Sequence, residues 1–205
     1  MEDVLDLYAE PYDAKHPTVC VDERPVQLIG DVREEIPVDV GRVKRIDSEY
    51  KRNGSCNIFA CFEPHQGWRY MSVTERRTKK DFAYFIQELV DIYYPEAERI
   101  RIVVDNLNTH TSASLYEAFE PSEARRISQK IEFHYTPKHG SWLNQVEIEF
   151  SVLSRQCLNR RIDNIEEIKS EVGAWQESRN SKQSSINWRF TTPNARVKLH
   201  RLYPS

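Results

Sequence analysis

The chain carries no excess of positive charge. In 205 residues, 29 lysines and arginines stand against 32 acids, for a formal net charge of −3. That excludes a large non-specific basic surface for polyanions while leaving room for a local basic face. No run approaches the ~18–20 apolar residues a membrane-spanning helix needs. The first residues, MEDVLDLYAE, are acidic where a secretory leader is basic and then apolar. These absences lead us to expect a soluble, cytoplasmic protein. The four cysteines, Cys20, Cys56, Cys61 and Cys157, form no CxxC pair and have no histidine at zinc-ligand spacing, so they read as reduced core thiols. Internal repeats and low-complexity tracts are also missing. What remains is 39% hydrophobic and 11% aromatic, enough for one well-buried domain.

The order of elements follows from periodicity. A short acidic helix ends at Pro11, and 17-PTVCVDE-23 is a proline-led strand that stops on Asp22. Residues 24–45 read as a long connection with possible edge strands. Residues 54–75 form a hairpin, with GSCNIFACF and WRYMSVT flanking the turn EPHQG. Thr78 caps an amphipathic helix with apolar positions Phe82, Phe85, Ile86, Leu89, Val90 and Tyr93, stopped by Pro95. A strand at 100–104, a helical stretch at 111–128 interrupted at Pro121 and a strand at 131–137 follow. A helix at 141–161 capped by Ser141 and a helix at 165–180 complete the series before a basic, aromatic tail. This order specifies an α/β fold, a mixed central sheet with helices on both faces. A right-handed crossover places 100–104 beside the first strand.

The stretch 100-IRIVVDNLNTH-110 then raises a chemical question, because a buried strand runs straight into Asp105. Alone, Asp-Asn reads as a cap or an Asx turn. Beside Asp22 on a neighbouring strand, however, it makes an acidic hole that is costly unless neutralised, and a divalent cation with oxygen ligands resolves the conflict. The segment 139-HGSWLNQVEIEF-150 offers Glu147 and Glu149 as a third carboxylate. They point about 200° apart on a helix. Taking Leu143, Val146, Phe150 and Leu153 as the inward stripe puts Glu147 on the flank of that stripe and turns Glu149 toward solvent.

TVCVDE, IVVDNLNTH and HGSWLNQVEIEF, in this order, resemble the signature blocks of bacterial insertion-sequence transposases in the mariner-like branch of the DDE superfamily. The closing WRFTTPNARVKLHRLYP is similar to the end of such proteins. The resemblance runs from about Val4 to Pro204. It implies an RNase H-like catalytic domain over 17–180, with 1–16 the remnant of a linker helix and 181–205 the tail. It further implies a catalytic and metal-binding triad of Asp22, Asp105 and Glu147 holding Mg²⁺ or Mn²⁺, with two ions. The activity would be metal-dependent DNA strand cleavage and strand transfer, on transposon ends and target DNA, in a nucleoid-associated homodimer. Two further functions use the same framework: a stand-alone RNase H-like nuclease, and an inactive regulator that binds DNA or a transposase partner.

Around these acids, Asn106, Asn108, His110, Lys138, His139, Asn144 and Arg155 are candidates for orienting carboxylates or contacting phosphate. The histidines suit DNA contact or a structural hydrogen bond better than Mg²⁺ ligation. Trp142 reads as a core anchor at a helix start. Arg160 and Arg161 read equally as phosphate grips or as a solvated helix end. Transposases of this kind carry a helix-turn-helix module before the catalytic domain. Here the first catalytic strand starts at residue 17, so such a module is expected as an upstream-encoded partner.

Overall fold

A computed structural model describes residues 1–33 and 48–203. Five strands form one sheet in the order β3-β2-β1-β4-β5. β1 (Thr18–Asp31), β2 (Tyr50–Glu63) and β3 (Trp68–Thr74) are antiparallel, while β4 (Ile100–Val104) and β5 (Ile131–Tyr135) run parallel to β1. Strand 100–104 thus lies beside the first strand, as the crossover rule requires. Among the described residues no helix is long and apolar enough to cross a membrane.

Side-chain alternation divides the core into two layers. Cys20, Ile58, Ala60, Phe62 and Val103 face one layer, which is closed by α1 (Glu2–Ala9), α5 (Val146–Gln156), α6 (Ile165–Ser181) and α7 (Thr192–Lys198). Val19, Val21, Phe59, Cys61, Ile102 and Val104 face the other, which is closed by α2 (Lys79–Glu88), α3 (Ala113–Ala118) and α4 (Pro121–Gln129). All four cysteines are free and buried. α2 starts at Thr78, whose hydroxyl and Asp81 make a capping box, and it relaxes into a π-helical turn, Leu89–Tyr93. Pro121 opens α4 at its first turn, so the interruption is a boundary between two helices.

Several sequence expectations need correction. β1 does not stop on Asp22 but continues to Asp31. What ends near Asp22 is the pairing with β4, whose last partners are Cys20 and Val103. Beyond that point, among the described residues, β1 pairs only with β2, and Pro25 is tolerated where no described strand adjoins its other side. Residues 34–47 of the expected connection lie outside the described residues. β2 begins earlier than expected, at Tyr50, and takes up an extra residue opposite Gln27–Ile29, where Gly54 adopts φ +108°.

Ser141 does not cap the long helix. It begins a single 3₁₀ turn, Ser141–Leu143, and α5 starts at Val146 after Asn144 breaks the helical path with ψ 106°. Leu143 is therefore not on the helical stripe, and counting it there rotated the inferred face. Glu149, expected in solvent, is fully buried. It sits one turn from Val146 and Leu153 and meets Arg69 Nε at 2.9 Å and Arg179 Nη2 at 2.9 Å. Arg69, also fully buried, donates to Asn180 Oδ1 at 3.2 Å and to the Ser184 carbonyl. This ionic knot joins β3, α5 and α6 and fixes the rotation of α5.

The tail packs against α1. Tyr8 meets the Trp188 ring edge-on at 5.5 Å, Thr192 donates to Asp6 at 2.5 Å, and Arg196 pairs with Glu2 at 2.7 Å. Trp142 is 45% exposed and is no core anchor, with its ring parallel to Trp188 at 6.4 Å.

The knot yields a stability test. Glu149→Ala leaves Arg69 as an uncompensated charge in the interior and is expected to cost about 3–5 kcal/mol. Glu147→Ala, on the exposed side of the same helix, should stay within about 0.5 kcal/mol of the native chain. Urea denaturation midpoints of the two variants at neutral pH measure the contrast.

Candidate active site

β1 and β4 hold Thr18, Val19 and Cys20 opposite Arg101, Ile102 and Val103. The pairing ends there. Because Cys20 faces the α5 layer, the alternation of strand side chains turns Asp22 to that face, while Asp105 directly follows β4, meets His110 and lies near enough for its charge to act on Asp22. Glu147 occupies the first turn of α5, on the same side.

The three carboxylates feel one another. Asp22 is 6% exposed, and its Oδ1 accepts the Glu23 backbone N–H at 2.8 Å. Burial above all pushes its carboxyl up to about 7, against that hydrogen bond, and the charges of Asp105, Glu147 and Glu23 add to the rise. Glu147 is raised by burial and by Asp105, with Arg24 opposing. For Asp105 burial also acts upward, but His110 outweighs it and holds the carboxyl below the usual range.

His110 is completely buried on the α2 side, its ring 4.9 Å from Phe82. Its Nε2 lies 2.7 Å from Glu23 Oε2 and its Nδ1 2.7 Å from Asp105 Oδ1. Burial alone would lower its pKa, yet the two carboxylates raise it to about 9. The two carboxylates thus favour the charged ring, which is buried and has no surface for DNA. Asp22, Glu23 and His110 lie close enough to form a metal-sized group, but the histidine and Glu23 satisfy each other. Among the described residues that is the one group of acids and histidines close enough to share a metal ion; Asp105 and Glu147 lie near enough for their charges to act on Asp22, and carboxylate oxygens of this kind suit Mg²⁺ or Mn²⁺.

The other candidates take different positions. Asn144 is buried and donates to the Val21 carbonyl at 2.9 Å, clamping the chain before α5 to the residue preceding Asp22. Asn106 donates to the Thr136 carbonyl at 2.7 Å and so ties the ends of β4 and β5. Asn108 is exposed beside Asp105, and Lys138 and His139 are exposed on a tight turn. In that turn His139 has φ 64°, and a Cβ on Gly140 would meet Pro137 at 2.6 Å. Arg155 is exposed at the far end of α5. Arg160 pairs with Glu167 and Glu171, and Arg161 with Asp31, so both belong to surface ion pairs. Sequence reasoning missed Glu23 and Arg24. Strand alternation was the available signal for Glu23, which one residue after Asp22 points to the opposite face. Arg24 donates to the Phe150 carbonyl of α5 at 3.3 Å and lies beside Glu147.

The model of the DDE superfamily endonucleases matches residues 17–169. The chain belongs to this family. Solved structures of similar shape are those of the Mos1 mariner transposase. The paired-end complex with Mn is 15% identical with a TM-score of 0.59, over 88% of this chain and 53% of that one. The strand transfer complex is 15% identical with a TM-score of 0.58, over 85% and 51%. The pre-cleavage transpososome is 15% identical with a TM-score of 0.55, over 88% and 58%. The likeness shows that this DDE endonuclease has the RNase H-like fold, and the chain spans about half the length of the Mos1 chains. No curated protein sequence matches it.

The histidine clamp of this DDE endonuclease carries a pH signature. A histidine whose folded pKa exceeds its unfolded value of 6.5 stabilises the fold fully below pH 6.5, and that contribution is lost as pH rises through about 9. Without divalent cations, the native chain should lose on the order of 3 kcal/mol more than His110→Asn across that window. Urea midpoints measured at intervals of pH check the difference.

Proposed function

We propose that this DDE endonuclease domain acts as the catalytic domain of a transposase, cutting DNA at the ends of a mobile element and joining the freed 3′ hydroxyl to target DNA. The observation that carries this reading is the register that brings Asp22 level with the end of β4, which Asp105 follows, with Glu147 of α5 near enough for its charge to act on Asp22. Family membership and the fold shared with Mos1 support it.

In this reading Asp22, Asp105 and Glu147 hold Mg²⁺ or Mn²⁺, in the two-ion pattern usual for phosphodiester chemistry. Ions bound there supply the activation of the attacking oxygen and the stabilisation of the leaving one. The chain itself sets the geometry. His110, anchored by Glu23, keeps Asp105 ionised and fixed. Asn144 holds the α5 entry against Val21, so Glu147 keeps its distance from Asp22. Arg24, exposed and adjacent to Glu147, is placed to pair with a backbone phosphate, and Lys138 and His139 extend the polar rim. The partners are transposon-end and target DNA, engaged by a homodimer in the nucleoid, with a helix-turn-helix module recognising the ends.

The test uses the purified chain, linear DNA with the flanking terminal repeats, and Mg²⁺ or Mn²⁺, with and without a helix-turn-helix module in trans. Nicking at the repeat ends is expected, with complete loss on chelation and a loss of about 10³-fold or more in Asp105→Ala, the several kcal/mol that charge stabilisation provides. Cleavage of RNA–DNA hybrids but not of the repeats would reject the transposase reading in favour of a nuclease. DNA binding without any cleavage would reject it in favour of a regulator.

A further inference from the structure

Away from the carboxylates, a cavity of about 480 Å³ opens between the start of β3, the π-helical turn and residues 94–97. Glu63, the last residue of β2, lines it. Glu63 lies three residues beyond Ala60, the partner of Asp22, which is roughly 10 Å along the strand toward the other end of the sheet. Its side chain is only 4% exposed. Oε2 accepts the Tyr94 hydroxyl at 2.9 Å, whereas Oε1 is buried with no hydrogen-bond partner among the described residues. A buried acceptor left without a donor costs about 1–3 kcal/mol, and more when charged. Burial accordingly pushes the Glu63 carboxyl up.

The walls are aromatic. Trp68 packs against Tyr93 at 5.1 Å and Tyr94 at 5.7 Å between centroids, and the exposed Tyr12 ring stands at the rim. Glu96 adds a second acid, and among the described residues no lysine or arginine lines the cavity. An anion would be repelled by both acids. A neutral apolar guest would leave Oε1 unsatisfied. A hard metal ion is not favoured either, since among the described residues Glu63 belongs to no group of three acids or histidines close enough to share one. Aromatic faces around a carboxylate suit a cation with an organic body, which gains from the ring quadrupoles and from the ion pair together.

We propose that this cavity binds an organic cation of the guanidinium or alkylammonium class, with its charge beside the Glu63 carboxylate and its body against Trp68, Tyr93 and Tyr12. Such a group arrives either as an arginine or lysine side chain of another protein segment or as a free polyamine. Neither source involves the metal-binding carboxylates, so the proposal stands apart from the transposase reading.

Titration of the full chain with N-acetyl-arginine amide, spermidine and the neutral isostere N-acetyl-citrulline amide, followed by tryptophan fluorescence and calorimetry, tests it. Saturable binding of the cations is expected at about millimolar dissociation constants or tighter, with citrulline at least about tenfold weaker. Glu63→Gln and Tyr12→Leu should each weaken the cations about fivefold or more. Tyr12 is at the exposed rim, so its variant keeps the test valid if Glu63→Gln does not fold. Preference for the arginine amide supports a protein-borne side chain, and preference for spermidine supports a free polyamine. Equal binding of citrulline, full binding by both variants, or no binding of either cation up to about 10 mM overturns the proposal.

Discussion

The parallel pairing of β1 with β4 lasts three residues and stops at Cys20 and Val103. Its register brings Asp22 of β1 level with the end of β4, which Asp105 follows. Since strand side chains alternate, a slip of one residue would send Asp22 to the α2 side, among Val19, Val21 and Phe59, and separate it from Glu147. The apolar alternation of the two layers resists that slip. Burial of Val19 and Val21 on one side and Cys20 on the other is therefore also what holds Asp22 in place.

The carboxylate cluster is poorly favoured on its own terms, and the surrounding structure over-determines it. Two buried ionic arrangements sit on either side of the sheet. On the α2 side, His110 neutralises part of the charge of Asp105 and Glu23. On the α5 side, Glu149 is locked by Arg69 and Arg179. Neither is a strong source of stability, because burying charges costs nearly what their attraction returns. Their effect is positional: one fixes a strand end, the other the rotation of a helix. The neighbouring acids Glu147 and Glu149 thus divide their tasks, one open to the site and the other held in the interior.

Much of this was legible in the sequence, and the remainder failed for identifiable reasons. Short β-branched runs gave β1 and β4, the three- and four-residue spacing gave α2, and the hairpin turn gave β2 and β3. The adjacency of Asp22 and Asp105 followed from the handedness of one crossover. Periodicity did not reveal that Asn144 breaks the chain before α5, because Leu143 continues the helical spacing although its residue is not helical. That error in phase assigned Glu149 to solvent. The burial of His110 was also invisible, since its partners are a carboxylate 87 residues away and one whose position depends on the sheet. A sequence shows how residues repeat along an element. It does not show which distant charges meet inside.

The early departure of β4 has a further consequence for β1. From Asp22 onward the strand has, among the described residues, one flank without a neighbouring strand, and such a flank is a template for pairing with other chains and for aggregation. Here it is blunted residue by residue. Arg24 is charged, Pro25 has no N–H to offer, and the Ile29 N–H is already taken by the Ile162 carbonyl at 2.8 Å. The stretch of β1 beyond its pairing with β4 is thus poorly suited to accept another strand.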